Sequence, residues 1–102
     1  LVCIESNHDI GMLQNGPYPY HLKRRVMGES GHLSNAVCAD TLPGLLKSGA
    51  TRFILAHLSR ENNFPALALE ASKGSLELAG AECGTDFLIS AAAPAVPCTI
   101  VL

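Results

Sequence analysis

The stretch from Phe53 to Asn63, FILAHLSRENN, constrains this chain more than any other. An apolar run from Phe53 to Ala56 stops at His57, and beyond Leu58 come a hydroxyl, a cation, a carboxylate and two amides. An apolar strand that ends in ligand-type side chains is how many α/β proteins deliver chemistry to the edge of a sheet. The expectation is a sheet with His57 at its rim.

A chain of 102 residues is one domain or less. Apolar residues make up 48% and charged residues 16%, rich in apolar surface for a small free-standing domain, which must face much of itself to water. Some of that surface is therefore expected to cover another part of a protein. The chain opens LVCIE, with neither Met nor leader, as a piece of a longer protein would. A net charge of −2 gives no general nucleic-acid footprint, so any phosphate contact must be local. No signal peptide is visible, and no apolar run approaches the roughly 20 residues of a membrane span, so the expectation is a cytoplasmic protein with no membrane partner. Cys3, Cys38, Cys83 and Cys98 form no C-x-x-C pair and spell neither a structural zinc site nor a disulfide framework. The expectation is four reduced thiols.

In chain order, Leu1 to Ile4 reads as a buried strand. Asn7 or Asp9 can cap a helix from about His8 to Asn15. Gly16 to Tyr20 (GPYPY) is a rigid loop, and His21 to Met27 is a short basic helix. Ser34 is the natural N-cap of a helix from Ala36, with a kink or restart at Pro43 and an end at Gly49. Thr51 to Ala56 is the second strand. Asn63 caps a helix that starts near Pro65 and runs to about Ala79. Asp86–Ala92 and Cys98–Leu102 read as closing strands. This order predicts α/β architecture bordering on α+β, with helices packed on a sheet. A helical crossover makes the first two strands parallel neighbours.

That pairing would bring Glu5 and His57 to one edge. His32 lies just before a helix start, where free N–H groups and the helix dipole favour an anion. One rim could thus hold a carboxylate, two imidazoles and an anion-binding helix end, which suits metal-assisted phosphate or carboxylate chemistry. From spacing alone the alternatives stay open. His57 is a ligand or a hydrogen-bonded structural residue, Glu5 a reactive group, a cap or a solvated carboxylate, and His32 a site residue or a capping partner.

The blocks Glu5–Asp9 (ESNHD), Gly16–Pro19 (GPYP), Leu22–Val26 (LKRRV), Gly31–Asn35 (GHLSN) and His57–Asn63 (HLSRENN) occur in that order. This closely resembles the carboxyl-terminal half of metallo-β-lactamase-fold hydrolases of the YycJ (WalJ) type, relatives of the tRNA 3′-processing endonucleases. The resemblance covers nearly the whole chain, and its specific blocks lie in the first 65 residues. It implies half of an αββα sandwich with helices on a mixed sheet, residues 1–102 being a partial domain. It implies a DNA exonuclease-like phosphodiesterase in which two divalent ions, zinc or manganese, activate a water. By the same resemblance His57 matches the last metal-binding histidine. Glu5 and His32 match a catalytic pair that moves a proton to the leaving group or steadies the phosphate. Ser34 and Asn35 match phosphate-side contacts.

The chain departs from that family by lacking the H-x-H-x-D-H motif, the middle histidine and the bridging aspartate. The expectation is a chain that is inert alone and self-associates. Its partners would be the amino-terminal half of its fold and, for the parent, nucleic acid. Another hydrolase on the same scaffold, acting on a thioester, lactam or small phosphodiester, is the first alternative. A non-catalytic interaction module is the second.

Overall fold

The computed structural model describes residues 1–15, 32–60 and 62–92. The expected GPYPY loop, the basic helix after it and the strand over 98–102 lie outside these residues. Strand β1 (Val2–Glu5) is joined through helix α1 (Ile10–Asn15) and helix α2 (Asn35–Lys47) to β2 (Arg52–Ala56). Helix α3 (Pro65–Leu78) then leads to β3 (Leu88–Ala91). The strands lie in the order β1-β2-β3, and both pairings are parallel. The architecture is α/β. The described strands are all parallel and are joined by the helical crossovers that parallel pairing needs.

The register fixes which side chains share a face. Val2 pairs with Phe53 and Ile4 with Leu55, while Phe53 pairs with Ile89 and Leu55 with Ala91. These residues turn toward α2 and α3 and build one core with Cys38, Leu42, Ala68, Leu76 and Phe87. Small residues let the two helices meet closely: Ser75 Oγ donates to the Ala39 carbonyl at 2.7 Å, and Cys38 Sγ lies 4.0 Å from the Ser72 hydroxyl. Leu42, Leu55 and Leu76 are fully buried, and truncating any one to alanine costs about 2–5 kcal/mol. The other face is less covered. Ile54, paired with Cys3 and Ser90, is half-buried, and Leu88 is 52% exposed. An open groove of about 360 Å³ runs there past Leu1, Arg52, Ile54 and Leu88.

Helix ends follow local chemistry. Ser34 caps α2, its hydroxyl accepting from Val37 N at 3.1 Å, and Asp9 Oδ2 accepts from Met12 N at 3.0 Å at the start of α1. Gly49 follows α2 with φ 106°, and Ala50 N reaches back to the Leu45 carbonyl, a Schellman closure that needs the left-handed backbone glycine allows. Pro43 sits inside α2, which continues helical to Lys47 and does not restart. Cys38 and Cys83 are free thiols, but Cys3 is disulfide-bonded, which corrects the expectation of four reduced cysteines. Among the described residues no helix is long and apolar enough to cross a membrane.

Candidate functional site

The carboxyl ends of β1 and β2 end level, because Glu5 pairs with Ala56. The chain then leaves both strands on the same edge. Backbone bonds join three polar segments there. Asn7 N donates to the Leu33 carbonyl at 2.8 Å and Asn35 N to the His8 carbonyl at 2.8 Å. Ser59 N donates to the Asn7 carbonyl at 2.7 Å and Asp9 N to the Asn62 carbonyl at 2.8 Å. Residues 7–9 are thus held between Leu33 and Asn35 on one side and Ser59 and Asn62 on the other. The three polar clusters singled out in the sequence form one rim.

Glu5 is the centre of that rim. Its side chain is only 10% exposed, yet it meets both imidazoles. His32 Nδ1 lies 3.1 Å from each carboxylate oxygen, and His57 Nδ1 lies 3.3 Å from Oε2. Leu33 N donates to Oε1 at 2.7 Å. An ionised carboxylate only accepts, so both rings carry their proton on Nδ1 when neutral. Each Nε2, across the ring from Glu5, is then left with its lone pair. The side chains of His32 and His57 are 52% and 54% exposed. A histidine held through Nδ1 by a carboxylate is the usual preparation of a metal-ligating imidazole.

His57 also adopts φ 55°, the one positive φ at a non-glycine position among the described residues. That conformation costs a non-glycine residue roughly 1–2 kcal/mol, and such outliers cluster at functional sites. Asn7 Nδ2 secures it by donating to the His57 carbonyl at 2.7 Å.

The remaining candidates sit deeper. Ser34 is buried and serves as the α2 cap, with its own hydroxyl proton left to donate. Asn35 is 4% exposed, and its carboxamide is engaged with Ser6 and Asn63. Asn63 is not the N-cap of α3, which is Phe64; instead its Oδ1 accepts from Phe64 N at 2.9 Å. Sequence reading assigned Asn63 only a capping role. A polar residue with no charge and no periodic pattern gives no sign that it will be buried. His8 is also buried, and burial, reinforced by His32, lowers its pKa below the usual 6.5 while Glu5 and Asp9 push it up by less. No group of three or more His, Cys, Asp or Glu among the described residues is arranged to hold a metal ion. Beside the rim a cleft of about 200 Å³ opens between Leu58, Arg60, Phe64 and Ala92.

No family model and no solved structure matches the chain. Among curated proteins it is 37% identical over 91 residues to exodeoxyribonuclease WalJ of Streptococcus pneumoniae, covering 89% of this chain and 34% of that protein. It is 36% identical over 96 residues to exodeoxyribonuclease YycJ of Bacillus anthracis, covering 94% of this chain and 36% of that protein. The chain spans about a third of the length of the curated relatives it matches. Over most of its length, then, the chain is similar to the WalJ/YycJ-type proteins.

Proposed function

We propose that this chain is the carboxyl-terminal part of a metal-dependent phosphodiesterase, a DNA exonuclease-like enzyme of the metallo-β-lactamase fold. The observation that carries the proposal is the Glu5 carboxylate clamped between the Nδ1 atoms of His32 and His57. Similarity to proteins named exodeoxyribonuclease supports the substrate class. In this reading residues 1–102 are a partial domain. In the same reading the half-covered sheet face around Ile54 and Leu88 packs against the other half of the fold.

The rim offers one ligand of a metal site. His57 offers Nε2 to a divalent ion, while Glu5 fixes the ring's tautomer and orientation. The other ligands come from outside this chain, since one imidazole does not make a closed site. When bound, the ions supply Lewis-acid charge to the phosphate and an activated water. Glu5 holds His32 so that, when the ring carries a second proton, its Nε2–H can donate to the phosphate or pass that proton to the departing oxygen. Ser34 and the start of α2 favour the phosphate charge. Asn35 acts by holding the helix start rather than by touching substrate, because its amide is already engaged.

The test compares the full-length protein with its His57→Ala and Glu5→Gln variants on DNA, RNA and thioester substrates. Hydrolysis of DNA ends is expected, falling by about 10²–10⁴-fold in either variant, with metal content reduced in His57→Ala. Full metal content and full activity in His57→Ala would refute the ligand assignment.

A further inference from the structure

We propose that Asn63, with Asn35 and Ser6, is the positioning element of this rim; the inference rests on the reading of the rim as the reactive site. The three side chains come from three separate segments and are all buried: Asn63 is 3% exposed, Asn35 4% and Ser6 0%. The two carboxamides bond reciprocally, Asn35 Nδ2 to Asn63 Oδ1 at 2.8 Å and Asn63 Nδ2 to Asn35 Oδ1 at 3.0 Å. Ser6 Oγ donates to Asn35 Oδ1 at 2.6 Å. Asn63 Nδ2 also reaches the Ser6 carbonyl at 2.9 Å and the Asn7 carbonyl at 3.1 Å.

A helix cap needs one acceptor, whereas Asn63 binds two backbone carbonyls and a second amide. Each member lies in a segment that also carries a rim group. Ser6 follows Glu5, Asn35 belongs to the segment of His32, and Asn63 closes the loop that begins at His57. Buried polar groups without partners are costly, so a fully paired set of this kind is stable in one arrangement and penalised in others. That arrangement fixes the spacing between Glu5 and both histidines. Apolar side chains of equal volume could fill the space but would not select the register of the three segments.

The test uses the full-length protein, metal-free and labelled with ¹⁵N at histidine, with Asn63→Ala and the milder Ser6→Ala. In the unsubstituted protein the His32 and His57 rings should show the Nδ1–H tautomer. In the variants both rings should revert toward the tautomer mixture of free histidine while the amides of Leu42 and Leu55 stay protected from exchange. With metal restored, kcat should fall up to about 10²-fold, as small misplacements of reacting groups do, with little change in KM. A structural role alone would lower stability and leave the tautomers intact. Unchanged rings in the folded variants overturn the proposal. If Asn63→Ala does not fold, Ser6→Ala decides, because it removes one bond and leaves the amide pair. If the unsubstituted protein cleaves no phosphodiester, the functional reading fails, and the ring spectra still decide this one.

Discussion

His57 combines a left-handed backbone with a ring bonded to Glu5, so its two contributions to stability oppose each other. Replacing it with glycine or with alanine removes the ring equally, but only alanine keeps the strain. His57→Gly should therefore be more stable than His57→Ala by about 1 kcal/mol, read from denaturant midpoints. Equal midpoints would show that the backbone is unstrained. His8 gives a second residue-level prediction. Its folded pKa lies below 6.5 because of burial and the neighbouring His32. As pH falls through 6.5 the unfolded chain takes up a proton before the folded one does. The stability tied to His8 is thus full above 6.5 and declines as pH drops from there to the folded pKa, below which it stops changing. The slope of Tm against pH in that window should flatten in His8→Asn, and an unchanged slope would assign it to other groups. Glu5, His32 and His57 could be placed on one rim from sequence because strand pairing follows from apolar runs and a crossover. The bonding of Asn35 to Asn63 could not, since amides form no periodic pattern and their partners are set only by tertiary structure.

The helices show which local signals survive folding. Ser34 is the N-cap its position suggested, and Ser34→Ala should cost about 1 kcal/mol. That would appear as a lower urea midpoint with an unchanged m-value; no shift would mean that another group takes over Val37 N. Gly49 closes α2 as a glycine beyond a helix end should. Pro43 suggested a kink or a restart, and the helix does not restart there. Proline removes one N–H and crowds one carbonyl, yet Cys38 and Leu42 before it and Leu45 and Leu46 after it pack on the core and hold the helix on both sides. Asn63 suggested a cap, and Phe64 takes that position instead, because Pro65 sets where α3 can start but not which preceding polar residue turns inward.

Across the whole molecule, one sheet face is filled by α2 and α3 while the other shows Ile54 half-buried and Leu88 exposed. The isolated chain should therefore associate with itself through this face, since exposed sheet apolar surface seeks cover. Sedimentation at rising concentration should show dimers or larger species, and Leu88→Lys should reduce them. A strict monomer throughout would count against the open face. The two ends of the strands also differ in how they tolerate change. Every long-range tie of the rim, from Glu5 to Asn63, lies at the carboxyl end. The opposite turns, at 48–50 and 82–86, are closed by bonds within their own few residues. An inserted tag, a linker or a relocated chain terminus fits at those turns without disturbing the rim, whereas one residue added between Ala56 and Asn63 shifts His57 or Asn63 relative to the groups they bind.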